Sequence, residues 1–202
     1  MNIFALDVNP EIAAQYMCDK HVPKMLLETM QMLGSAARRH GAKDSDMPLT
    51  SKGTPLKGGY HHHPCTVWAG DCRSNYHWLS MHGLQLCEEY IYRFGKVHTC
   101  QPSIIKLSNM GKLIPVNDRN TPTPFHQAMP DKYKRKDTVI AYRLYYMGEK
   151  ARFAKWEKGR KRPFWWTVCT PTPDEEIPLG YDHDRFIKIM NNSMGVPKNG
   201  WI

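Results

Sequence analysis

Residues 9–41 read NPEIAAQYMCDKHVPKMLLETMQMLGSAARRHG, and this run decides the fold class. Asn9 offers a capping side chain, Pro10 suits a first helical position, and Glu11 adds a carboxylate to the first turn. A helical pattern then continues to about Arg39, with Gly41 as its stop. Pro23 lies inside the pattern and lacks a backbone donor, so a kink or a restart is expected there.

Upstream, Met1 to Val8 is short and apolar and is expected to tuck into the body. Downstream, residues 42–60 carry Gly, Pro, Ser and Lys and read as a loop that ends in His61-His62-His63-Pro64. A second helix is expected from about Asp71 to Phe94, where Leu79, Leu86, Tyr90 and Phe94 recur at near-helical spacing and Gly95 follows. Residues 99–130 hold five prolines and no sustained period, and read as a long irregular connection. A third helix is expected from near Asp137 to near Gly159, on an apolar stripe of Ile140, Leu144, Met147, Ala151 and Ala154. The tail from Thr167 is rich in Pro and Gly, with one helical turn expected at Arg185 to Met190. Strand signals are weak throughout. The expectation is a compact all-α single domain of about three main helices with long irregular loops. It divides into a helical domain over 1–166, with 99–130 as an insertion, and an extension over 167–202.

The chain has 202 residues, enough to bury a core without metal or disulfide staples. It carries 28 Lys and Arg against 19 Asp and Glu, a formal charge of +9. That balance favours polyanionic partners. Six cysteines are present, and no two form a Cys-x-x-Cys pair. With no signal-like start and no long apolar run, a cytoplasmic monomer with free, mostly buried thiols is expected, without membrane or cofactor.

Three groups could carry chemistry. His21, Lys24, Glu28 and Gln31 are spaced three, four and three and share one helical face. Together they could serve as acid, base and phosphate contact, or simply form a solvated face with one Lys–Glu pair. His61, His62 and His63 stand beside Cys65, and Cys18 and His21 have a ligand-like gap, but no second half of a zinc site has standard spacing. Phosphate contact or helix capping is the expectation for these histidines, and no metal. The third group is basic and aromatic. Lys132, Lys134, Arg135 and Lys136 precede the third helix and the cations from Lys150 to Arg162 follow on its later half, with Tyr142, Tyr145, Tyr146, Phe153, Trp156, Phe164, Trp165 and Trp166 interleaved. Cations for phosphates and aromatic faces for unstacked bases form the composition that nucleic-acid binding uses. Trp68, Tyr76 and Trp165 read as scaffold. No Gly-rich phosphate loop, Gly-x-Ser-x-Gly elbow or His-Glu-x-x-His motif is present.

The order of these features resembles the pyrimidine-dimer DNA glycosylases of the phage endonuclease V type. It also resembles a group of phage and environmental chains with an Asn-Ile-Phe start and a Cys-Asp-Lys-His segment. The resemblance rests on Ala13-Ala14-Gln15-Tyr16-Met17 with Val22-Pro23-Lys24, on His63 through Gly95, and on Ile140-Ala141-x-Arg143-Leu144 with Lys150 and Arg162-Pro163-x-Trp165. It covers roughly residues 1–41, 60–95 and 132–166.

The resemblance implies an all-α domain with the N-terminus threaded between helices. It also implies a chemistry in which an N-terminal α-amine attacks C1′ of the damaged nucleotide and forms an imine. An unperturbed α-amine has a pKa of about 7.7–8.0, so a fraction is neutral near pH 7. A Glu carboxylate supports the sugar intermediate, cations hold the kinked DNA, and the base is flipped out.

Two positions depart from the family pattern. The family's Glu falls here on His21, which could shuttle protons but cannot supply negative charge, with Glu28 two turns on. Residue 2 is Asn2, bulkier than the small residue that loss of Met1 exposes in the family. The resemblance thus implies Met1, Asn2, His21 and Glu28 at the reacting centre. It implies Lys20, Lys24, His61, His62, His63, Arg143, Lys150 and Arg162 as DNA contacts. The partner would be double-stranded DNA with a flipped damaged or modified pyrimidine. Two other readings are a non-catalytic nucleic-acid binder on the same scaffold and a metal-dependent nuclease using His61 to His63 with Cys18.

Overall fold

The computed structural model describes residues 1–118 and 120–167. Among these the chain forms six α-helices: α1 Pro10–Tyr16, α2 His21–Arg39, α3 Pro64–Asp71, α4 Arg73–Phe94, α5 Gln101–Ser108 and α6 Thr138–Lys150. No strand occurs among the described residues, only an isolated bridge between Leu49 and Pro55. The fold is all-α, with α2, α4 and α6 as its three long members.

The first helical run breaks between Met17 and Lys20, not at Pro23. Pro23 sits in the first turn of α2, where its missing N–H costs nothing. The break is held by distant partners. Cys18 N–H donates to the Tyr146 hydroxyl at 3.1 Å, and Asp19 N–H donates to the Lys155 carbonyl at 2.9 Å. Asn9 caps α1 as its position suggested, accepting from Glu11 N–H at 2.9 Å. Gly95 ends α4 in the left-handed region at φ 64°.

Two short helices lie where loops were expected or no helix was read. His63 Nδ1 accepts from Cys65 N–H at 3.2 Å and starts α3, with Pro64 at its first position. The 99–130 connection contains α5, whose Ile104 and Leu107 are fully buried; eight residues are too few for a visible period. The third long helix stops at Lys150 rather than near Gly159. Residues 155–157 are drawn out to meet the α1–α2 break, where Glu157 N–H donates to Asp19 Oδ2 at 2.7 Å and Trp156 Nε1–H to the Tyr16 carbonyl at 3.1 Å. Those tertiary bonds replace the helical ones that continuing α6 would have made. Of the 167–202 extension only Thr167 is described, so the turn expected at 185–190 lies outside the described residues, as does Cys169.

Helix α4 is the axis of the molecule and packs against α1, α2, α3 and α5. At Gly83 it approaches α2 so closely that a Cβ would lie 2.8 Å from the Thr29 methyl. Trp68, Tyr76 and Trp165 are buried scaffold, and Cys18, Cys65, Cys72, Cys87 and Cys100 are buried free thiols. Ile3 to Leu6 are buried, so the N-terminal segment enters the core instead of lying on it. Arg143 of α6 fastens that segment, donating to the Leu6 carbonyl at 2.8 Å and pairing with Asp7 at 2.9 Å.

Candidate active site

The buried N-terminal segment ends on a carboxylate. Asn2 N–H donates to Glu28 Oε2 at 2.8 Å, and both residues are buried. The other oxygen, Oε1, faces Lys24 Nζ at 3.4 Å, one turn earlier on α2 and mostly exposed. Glu28 thus meets a buried backbone donor on one oxygen and a cation on the other.

Asn2 is built in on every side. Its Oδ1 accepts from Ile3 N–H at 2.8 Å and Phe4 N–H at 3.1 Å, while Nδ2 donates to the Ala128 carbonyl at 2.8 Å. This side-chain turn supports Phe4 in the left-handed region at φ 44°, a conformation that costs on the order of 1 kcal/mol or more for a bulky residue. The turn lays the Phe4 ring on His21, centroids 4.9 Å apart, with Tyr145 5.9 Å away on the other side.

Two histidines border the same place. His63 is held below its usual pKa first by burial, then by the positive α-amine of Met1 and by His126, while Glu28 opposes the shift. Thr66, one turn into α3, donates its hydroxyl to Met1 Sδ at 3.4 Å. His126 and Ala128 come from the connection read as an insertion, so that segment forms a wall of the site. Lys150 closes the remaining side, its Nζ 4.8 Å from the Tyr145 ring centre and 5.6 Å from that of Phe4. Burial lowers its pKa most, with Lys24 and Arg152 adding to the effect and Glu149 and Glu28 opposing it.

The expected residues therefore divide. Met1, Asn2, Lys24, Glu28, His63 and Lys150 are brought together. Lys20 is on the rim, its Nζ 4.9 Å from the Phe153 ring centre. His61 and His62 are exposed in the turn before α3, and Arg162 is exposed two residues past Arg160, which is anchored on Glu89. Arg143 is committed to Leu6 and Asp7 and lies under Tyr16, Phe164 and Trp165, so it holds the segment that carries the site. Cys18 is buried beneath α6, and among the described residues no three His, Cys, Asp or Glu side chains gather as a metal site would need. His126 and Ala128 were not singled out by sequence, since only long-range packing brings them here.

His21 lies beside the carboxylate face but is buried. Its Nδ1 shares a hydrogen bond with the Tyr146 hydroxyl at 2.8 Å. Burial first, then Lys24, Lys150 and Lys20, push its pKa down to about 3, so the ring is neutral at physiological pH. Fully buried His82, which bonds to the Pro10 carbonyl at 3.0 Å, is lowered to about 4 by burial. Both folded values lie below the unfolded 6.5, so the unfolded chain binds more protons between those limits. Stability should be fully present above pH 6.5 and fall as pH drops towards 4, by on the order of 3 kcal/mol per histidine. Urea midpoints measured from pH 7 to 4 check this; a flat midpoint between 6.5 and 4.5 would contradict it.

No helix among the described residues is long and apolar enough to cross a membrane. Searches of curated proteins and of solved structures return no match. A family model for pyrimidine dimer DNA glycosylases matches residues 1–101. That half of the chain holds Asn2, Lys24, Glu28 and His63, which meet in one place, and the chain belongs to the pyrimidine dimer DNA glycosylase family.

Proposed function

We propose that the protein excises a damaged or modified pyrimidine flipped out of double-stranded DNA and then breaks the strand at the abasic sugar, using an α-amine at this end of the chain. The observation that carries the reading is the buried 2.8 Å hydrogen bond between the residue-2 nitrogen and Glu28. With Met1 removed that nitrogen is the α-amine; with Met1 retained the amine is one residue earlier, beside His63. Intact mass distinguishes the two forms.

The neutral amine bonds to C1′ as the C1′–N bond to the base breaks, and the base leaves with the electron pair. The amine's proton passes to Glu28. The sugar ring opens, O4′ takes a proton, and a C1′=N imine forms. Loss of a C2′ proton then expels the 3′-phosphate. Glu28 is suited to this because its negative charge opposes the positive charge that develops on the sugar. Lys20, Lys24, Lys150 and His63 contact phosphates near the reacting sugar, and His61, His62 and Arg162 do so further out. The protein works as a monomer without metal or cofactor.

Incision of supercoiled plasmid tests the reading. Irradiated plasmid should be nicked and undamaged plasmid left intact. Salt-sensitive binding of both plasmids without nicking of either would overturn the enzymatic reading in favour of a binding protein.

A further inference from the structure

Five rings form an unbroken file past the site, in the order Tyr133, Tyr145, Phe4, His21, Phe153. Their successive centroid separations are 5.5, 5.9, 4.9 and 5.3 Å. Tyr133, Phe4 and His21 are buried, whereas Tyr145 and Phe153 are half-buried. Phe4 and His21 therefore form the floor, and the two half-buried rings, each partly accessible, stand at its ends.

Each of these two rings carries a cation. Lys150 Nζ is 4.8 Å from the Tyr145 centroid. Over Phe153, Lys20 Nζ is at 4.9 Å and the Arg152 guanidinium carbon at 5.8 Å. A nucleotide matches both parts of such a unit. Its base can replace the cation on the ring, and the displaced cation then meets its phosphate. The turn after α6 fixes the relation of the two faces, since Phe153 N–H donates to the Lys150 carbonyl at 3.0 Å.

We propose that Tyr145 and Phe153 are stacking faces for two unpaired nucleobases, one on each side of the nucleotide whose sugar meets Glu28. The inference rests on the reading that DNA occupies this site. The bases come either from a duplex that opens around the lesion or from a single strand, and the chemistry of recognition is the same.

The test uses oligonucleotides with a stable abasic analogue flanked on its 5′ or 3′ side by 2-aminopurine, as single strand and as duplex. Binding should quench the fluorescence at both positions. Tyr145→Ala should abolish quenching on one side and Phe153→Ala on the other, each weakening affinity about tenfold. Tyr145→Phe and Phe153→Trp should retain both properties. Quenching in the duplex alone assigns the faces to bases opened from it; quenching in both assigns them to either source. Where an alanine variant does not fold, Tyr145→Leu or Phe153→Leu keeps apolar volume without a ring and should show the same loss. An unquenched wild-type complex, or unchanged affinity in folded variants lacking these rings, would overturn the inference. Plasmid nicking that persists without quenching would remove the stacking faces and leave the enzymatic reading intact. Quenching without nicking would do the reverse.

Discussion

Glu28→Gln is expected to lower excision from irradiated DNA about a thousandfold while leaving DNA affinity within a few-fold of wild type. The substitution preserves shape and an oxygen that can accept from the residue-2 nitrogen, now 2.8 Å from Oε2. It removes the negative charge that the developing sugar cation needs and the site that takes the amine's proton. His21→Asn should cost far less. The imidazole is already neutral, and its Nδ1 is engaged with Tyr146. Single-turnover excision of the two variants side by side decides the matter. A fully active Glu28→Gln beside an inactive, folded His21→Asn would return the central role to the histidine.

The second large effect is on stability. Arg93→Met should destabilise the protein by about 3–5 kcal/mol, which for a chain of this size lowers the melting temperature by roughly 10 °C. The Arg93 side chain is fully buried. It donates to Glu89 at 2.9 Å, to the Met17 carbonyl at 2.7 Å, to Asp19 at 3.0 Å and to the Gln15 carbonyl at 2.8 Å. One guanidinium thus ties the end of α4 to the break between α1 and α2, and Glu89 carries the tie on to Arg160. Removing it takes a buried charged donor from Glu89 and Asp19, which keep only Arg160 and the Glu157 N–H, and from the Met17 and Gln15 carbonyls, a larger loss than one ion pair. A melting temperature within 2 °C of wild type would contradict that role.

Local signals were legible where the deciding interaction is itself local. Asn9 and Gly95 mark helix ends because capping and the left-handed turn act within a few residues. The α1–α2 break and the early end of α6 were not legible, because each is held by the other across well over a hundred residues. The face carrying His21, Lys24 and Glu28 followed from spacing. Which of its members would meet the N-terminal segment did not. Alignment on Val22-Pro23-Lys24 puts the family's carboxylate at His21, whereas the fold delivers the residue-2 nitrogen two turns further on, at Glu28. A shift of seven residues keeps a side chain on the same helical face, so periodicity could not separate the two positions. His126 and Ala128 were hidden for a related reason. They lie in an aperiodic stretch, and only its path over Asn2 gives them a place at the site.

Borohydride reduction in the presence of abasic-site duplex tests the pairing of Glu28 with a terminal amine most directly. A covalent protein–DNA adduct should form, and peptide mapping should place it on the α-nitrogen of the N-terminal peptide. The yield should collapse in Glu28→Gln. An adduct on Lys24 or Lys150 instead, or no adduct while the protein still incises irradiated DNA, would contradict the assignment.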